Sequence, residues 1–180
     1  MMSEAELSLM KGRMLEGMRH KARRGALLHH PPMGYVRGPD GDSQLDPDEQ
    51  AHRVIRLIFE TFEEYGSLHG LLRYLVAHDM RRPIRPHCGP NRGQLVWRRP
   101  TRMTLQNLRH HPIYAGAYRW GHRKIAPRQQ QPGRRSTGRT INVPEAGDVL
   151  LPQRFPAYIS WERFEAIQQR LADNRAIADA

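Results

Sequence analysis

The clearest pattern of apolar and polar positions lies a third of the way along the chain. Ala51, Val54, Ile55, Ile58, Phe59, Phe62 and Tyr65 recur at spacings of three and four, which predicts an amphipathic helix. Asp46 is expected as its N-cap, with Pro47 at the first helical position and Glu49 completing a capping box. Gly66 suits a left-handed C-terminal stop. Ser67 then caps a shorter helix carrying Leu68, Leu71, Leu72, Leu75 and Val76, which breaks near Asp79. Two helices joined this tightly form an αα corner. They hold most of the large apolar residues and are expected to be the core.

Weaker patterns flank this centre. Ser3 to about Arg24 reads as a helix, with a Ser3/Glu6 capping box and Leu7, Met10, Met14 and Met18 at helical spacing. Its apolar stripe is narrow, so it needs a partner for stability. The Asp40-Gly41 step between Tyr35-Val36-Arg37 and Ser43-Gln44-Leu45 predicts a short hairpin. Prolines at 83 and 86 exclude a helix interior, so Arg81 to Gly93 is expected as a loop or arm. Thr101 or Thr104 caps a short helix with Met103, Leu105 and Leu108, ended by His110-His111-Pro112. Tyr114 to Trp120 alternates like a strand, and Asp148 to Leu151 is its expected return. Gln129 to Thr140 reads as a loop. Ser160 caps a last helix with Phe164, Ile167 and Leu171 on one face, fading at Asp173-Asn174. The expected class is α+β and mainly helical: a compact helical core, a small β-sheet or hairpin, long basic loops, and a protruding N-terminal helix. The expected organisation is residues 1–24 as the end of a long helix, 25–175 as one domain, and 176–180 as a frayed tail.

Charge sharpens this picture. The chain has 180 residues, 29 Lys and Arg against 18 Asp and Glu, and a formal net charge of +11. Residues 80–144 hold fifteen of the basic side chains and no carboxylate. A solvated surface normally mixes both signs, so a polyanion-facing surface is the better account. With a mean hydropathy of −0.74, no apolar run approaches the ~18 residues of a spanning helix, so no membrane partner is expected and the protein reads as cytoplasmic. A single cysteine, Cys88, excludes an intramolecular disulfide framework.

Candidate chemistry is sparse. Two-metal phosphodiester cleavage needs carboxylates, and the basic tract supplies none. His29-His30 and His110-His111 are adjacent pairs whose side chains diverge, and His87 and Cys88 lack the spaced partners of a zinc site. No serine lies in a G-x-S-x-G elbow, and no phosphate-binding glycine loop of the P-loop type exists. No catalytic residue, metal or cofactor is therefore assigned, and no self-contained enzyme is expected.

Five pieces in order carry a resemblance: Lys21-Ala22-Arg23-Arg24-Gly25, Pro32-Met33-Gly34-Tyr35, Leu45 to Glu49 leading into Ile58-Phe59, Trp97 before His111 to Gly116, and Tyr158 to Phe164. Together they resemble the central DNA-binding domain of the large serine recombinases, of the phage integrase and transposon resolvase type. The resemblance runs from about Lys21 to Asn174. It implies sequence-specific binding of duplex DNA at a recombination site. It also implies a targeting module separate from the catalytic serine domain that precedes this region in the family, so that the chain is expected to be an isolated middle module. Carried over, Arg19, Lys21, Arg23 and Arg24 would lie near backbone or minor groove, and Arg81, Arg82 and Arg85 would form a second contact. Arg98, Arg99, Arg102, Gln106, Asn107 and Arg109 would be the base-reading group, since Asn and Gln pair with adenine and Arg with guanine. Arg119, Arg123 and Lys124 would add backbone charge. The N-terminal helix is a candidate surface for self-association. The alternative is an RNA-binding or non-specific basic nucleic-acid-binding protein, which the core-patterned aromatics disfavour.

Overall fold

The apolar stripes fold as the helices they predict, in a computed structural model that describes residues 4–27, 30–125, 131, 139–141 and 148–179. In chain order the elements are α1 (Glu4–Arg23), β1 (Tyr35–Arg37), β2 (Ser43–Leu45), α2 (Glu49–Tyr65), α3 (Leu68–Ala77), β3 (Arg82–Ile84), β4 (Val96–Arg98), α4 (Arg102–His110), a 3₁₀ turn (Pro112–Ala115), β5 (Tyr118–Trp120), β6 (Arg123–Ile125), β7 (Arg139–Ile141), β8 (Val149–Leu151) and α5 (Trp161–Asp179). The strands form antiparallel two-stranded ribbons, β1–β2, β3–β4, β5–β8 and β6–β7, so the class is the expected mainly helical α+β. The chain divides into two compact units, one of residues 1–28 and 118–154, the other of 29–117 and 155–180.

The larger unit is built on the α2–α3 corner. Gly66 ends α2 at φ 67°, and its N–H reaches Phe62 O. The Ser67 hydroxyl caps α3 through the Gly70 amide at 3.1 Å. Ile55, Ile58, Phe59 and Phe62 of α2 and Leu71 and Leu75 of α3 pack with Leu105 and Leu108 of α4 and Phe164 and Ile167 of α5. Each such side chain contributes roughly 1.5–3 kcal/mol when fully buried. The expected hairpin forms, with Tyr35 opposite Leu45 and Arg37 opposite Ser43. Tyrosine hydroxyls tie this hairpin to the rest. Tyr114 donates to Met33 O at 2.7 Å, Tyr158 donates to Gly34 O at 2.6 Å, and the Tyr35 hydroxyl lies 2.8 Å from both Ile113 O and Pro156 O. Gly34 sits at φ +81°, and a Cβ there would lie 2.9 Å from the Tyr158 hydroxyl.

Four expectations need correction in this unit. The N-cap of α2 is Asp48, which accepts from Ala51 N at 2.8 Å; Asp46 is engaged elsewhere, with Arg85. The expected arm opens as a strand, Arg82–Ile84, with Pro83 opposite Trp97 in the β3–β4 ribbon, and continues to Gly93 as the expected loop. A two-stranded ribbon has only edges, so a residue without an N–H is tolerated. The expected strand from Tyr114 is a 3₁₀ turn up to Ala115, opened by Pro112 and closed by Gly116 at φ 78°. There a Cβ would lie 2.8 Å from Phe155 O, and the Phe155 amide donates to Gly116 O at 2.9 Å. Helix α5 continues to Asp179, past the expected fade at Asp173-Asn174, and binds the end of α2 on the way. Arg170 donates to Glu63 O at 2.9 Å and Asn174 to Gly66 O at 2.8 Å, which satisfies carbonyls that α2 leaves open.

In the smaller unit, α1 ends in a Schellman motif: Ala26 N bonds to Lys21 O at 2.9 Å and Gly25 N to Ala22 O at 2.8 Å, with Gly25 at φ 66°. The Tyr118 hydroxyl donates to Leu27 O at 2.9 Å, fixing the chain just past that stop. The expected return strand pairs as foreseen, Tyr118 opposite Leu151. β6 pairs with β7, which contains Thr140 at the end of the expected loop. Most of that loop, and the Ser3 cap, lie outside the described residues. Leu9, Met10, Met14, Leu15 and Met18 of α1 are exposed.

Candidate nucleic-acid interface

The Thr101 hydroxyl accepts from Thr104 N, and the Thr104 hydroxyl accepts from Thr101 N, a reciprocal cap that starts α4 directly after β4. This junction sets a polar stripe beside a basic ribbon. Thr104, Asn107, Leu108 and His111, at helical spacing, line a cleft of about 1130 Å³ in the larger unit. The other lining comes from the β3–β4 ribbon and its loop, from residues 30–37 with Asp46 and Pro47, and from Tyr114. Arg37, Arg82, Arg85, Arg92 and Arg98 line it, and Asp46 is the one carboxylate among the lining residues.

That carboxylate is already engaged. Arg85 Nε donates to Asp46 Oδ2 at 2.6 Å and a terminal nitrogen donates to Oδ1 at 2.8 Å, while the other terminal nitrogen holds Gly93 O at 2.8 Å. Burial alone raises the Asp46 carboxyl. Hydrogen bonds from Arg85 and the Asp48 amide, with the Arg85 and His52 charges, more than offset this and hold it below its ordinary value. Arg85 therefore fastens the ribbon's loop to the hairpin.

Arg82 is different. It stands directly across the ribbon from Arg98. Its Nε is buried and meets no hydrogen-bond acceptor among the described residues. Burial, then the Arg98 charge, lowers the basicity of its guanidinium. At the same cleft the His30 and His87 rings lie 4.3 Å apart, tilted by 33°.

The expected contact residues thus separate. Arg82, Arg85, Arg98 and Asn107 line the cleft. Arg81, Arg99 and Arg102 are exposed outside its lining, and Gln106 is half-buried. Arg109 is fully buried over the Phe62 ring, so it cannot reach a ligand in this conformation. In the smaller unit Lys21, Arg23 and Arg24 are exposed at the end of α1, and Arg19 lies 3.5 Å from Glu16. Arg119 is paired with Asp148 at 2.6 Å, and Arg123 and Lys124 lie in β6. Sequence reasoning passed over Arg37, Arg92, Thr104 and His111. The 104-107-108-111 spacing was a visible signal; Arg92, in a Gly- and Pro-rich loop, offered none.

Among the described residues no group of three or more His, Cys, Asp or Glu could hold a metal ion, and Cys88 is an exposed free thiol. No helix among them is long and apolar enough to cross a membrane.

A family model described as Recombinase matches residues 49–174. The chain is 34% identical over 174 residues to the Sinorhizobium fredii protein y4bA/y4pH, covering 96% of this chain and 24% of that one. It therefore spans about a quarter of the length of this curated relative. A chain from the crystal structure of an LSR–DNA complex superposes with a TM-score of 0.55 at 16% identity, covering 89% of this chain and 38% of its own. A second, from work on the sequence requirements of the Listeria innocua prophage attP site, gives 0.54 at 17% identity, covering 89% and 51%.

Proposed function

Because the chain belongs to the Recombinase family, the central domain of the serine recombinases, we propose that it binds duplex DNA at a recombination site and serves there as a sequence-specific targeting module. The observation that carries this reading is the cleft of the larger unit. It is lined by five arginines and one carboxylate, and that carboxylate is closed by Arg85. Asn107 brings an exposed amide to the same cleft, the kind of group that reads base edges. Arg99 and Arg102 add exposed charge, and most of their contacts would go to phosphate. Lys21, Arg23 and Arg24 give the smaller unit its own cationic end, and Arg123 and Lys124 of β6 belong to it. On this reading the chain performs no strand cleavage by itself and works in the cytoplasm. The exposed Leu9, Met10, Met14, Leu15 and Met18 of α1 supply the surface for self-association.

Fluorescence anisotropy tests the reading. Labelled duplex from the flanks of the encoding element, a scrambled duplex and RNA of equal length are titrated at two salt concentrations. Tight preference for the flank duplex is expected, with affinity falling ~10³-fold or more between 50 and 200 mM salt. Equal binding to all three would reduce the function to non-specific association with polyanions.

A further inference from the structure

We propose that Arg82 and Arg98 act as a two-arginine clamp that holds one backbone phosphodiester inside the cleft. The proposal rests on the duplex-binding reading above and names its anion subsite. The two residues are register partners in the β3–β4 ribbon, so their side chains leave the same face side by side. Like charges placed directly opposite destabilise a ribbon. The nearest remedy, a carboxylate, is missing: Asp46 is the one acid lining the cleft, and both its oxygens accept from Arg85. Arg82 Nε is buried without an acceptor among the described residues, whereas buried donors are normally bonded. A tetrahedral phosphodiester offers two non-bridging oxygens, which suits two planar guanidinium forks and relieves the repulsion between them. Arg98 is exposed, which leaves the clamp open on the solvent side. Free phosphate and a backbone diester share this chemistry, so the experiment separates them.

The first arm titrates the full chain with inorganic phosphate and follows arginine Nε–H resonances by NMR. The Arg82 Nε–H is expected to shift and saturate, and Arg98→Gln to abolish the response. The melting temperature of Arg98→Gln without phosphate is expected to equal or exceed the wild type, since a like-charge pair is gone. The second arm uses duplexes carrying one neutral methylphosphonate at successive positions. Wild type is expected to lose about tenfold in affinity at one position. Arg82→Gln, Arg98→Gln and the double variant are each expected to lose the same amount on unmodified DNA, and nothing further at that position. Multiplying losses in the double variant, or an Arg82 Nε–H that answers neither ligand, would overturn the clamp. A response to phosphate without a sensitive diester position would overturn its assignment to the backbone. If wild type failed to bind any duplex, the functional reading would fall while the phosphate arm still decided the anion site.

Discussion

The Arg109 guanidinium lies 3.6 Å from the centre of the Phe62 ring, and none of its three nitrogens meets a hydrogen-bond acceptor among the described residues. Burial pushes its pKa down to about 9. A buried cation without an anion is a burden that only the ring face offsets. Arg109→Met should fill the same space and leave stability unchanged or raise it by about 1–4 kcal/mol in urea denaturation. Arg109→Ala should lower it by about 2–5 kcal/mol through the cavity. A Met variant clearly weaker than wild type would show that the charge itself stabilises the fold.

The same residue gives a pH signature. Its folded pKa, about 9, lies below the ordinary 12.5, so above pH 9 the unfolded chain binds the extra proton. The stability of wild type relative to Arg109→Met should therefore be flat below pH 9 and rise with pH above it. Comparing the two proteins cancels the buried tyrosines Tyr35, Tyr114 and Tyr158, whose raised pKa values pull the other way at high pH. Denaturant midpoints of both proteins at pH 8 and pH 10 measure the difference.

Asp46→Asn separates fold from binding. Removing one partner of a largely buried pair should lower stability by roughly 3 kcal/mol at neutral pH. Because the folded pKa of Asp46 is depressed, the wild-type advantage should be complete above about pH 4 and disappear as pH falls through the folded value. The freed Arg85 should meanwhile steepen the salt slope for scrambled duplex by about one contact. An unchanged slope would mean that Arg85 faces no phosphate.

Asn107 and Arg99 should behave differently on DNA. Asn107→Ala should relax preference at one base position by about 1–3 kcal/mol. Arg99→Ala should weaken all sequences alike and reduce the salt slope by about one. Anisotropy across single-base variants of the flank duplex distinguishes the two patterns, and uniform loss for both would remove base reading from the helix.

On α1, Met14→Glu should leave the melting temperature within about 0.5 kcal/mol equivalent, since the side chain is 57% exposed, while shifting any dimer towards monomer in analytical ultracentrifugation.

Much of this was legible wherever a local rule decided the outcome. Asp40-Gly41 marked the hairpin, Gly66 and Ser67 punctuated the α2–α3 corner, and Thr101 capped α4. Failures came where a distant partner overrode the local signal. Asp46 is the cap expected from its place before Pro47, but its carboxylate is held by Arg85, 39 residues away, and by the Asp48 amide, which leaves the cap to Asp48. Pro83 looked like a loop residue because its partner Trp97 lies across an intervening loop. The contacts that seat α5 through Asn174 are made to carbonyls at the end of α2, more than 100 residues away. For the site, residue type located the basic tract but not its faces. Arg109 carried the same charge as Arg98 on paper, yet one is fully buried and the other lines the cleft.

The contact between Gly116 and Phe155 has a further consequence. The chain leaves the larger unit after Ala117 and re-enters it at Phe155, and the two ends of that excursion are joined by one backbone hydrogen bond of 2.9 Å. The intervening stretch is topologically a guest: the host closes on itself at the doorway whatever the guest's length. Residues 118–154 could therefore be shortened, lengthened or exchanged for a tight turn while the host's core kept its path. Gly116, whose missing side chain lets the doorway shut, is the position where such tolerance ends.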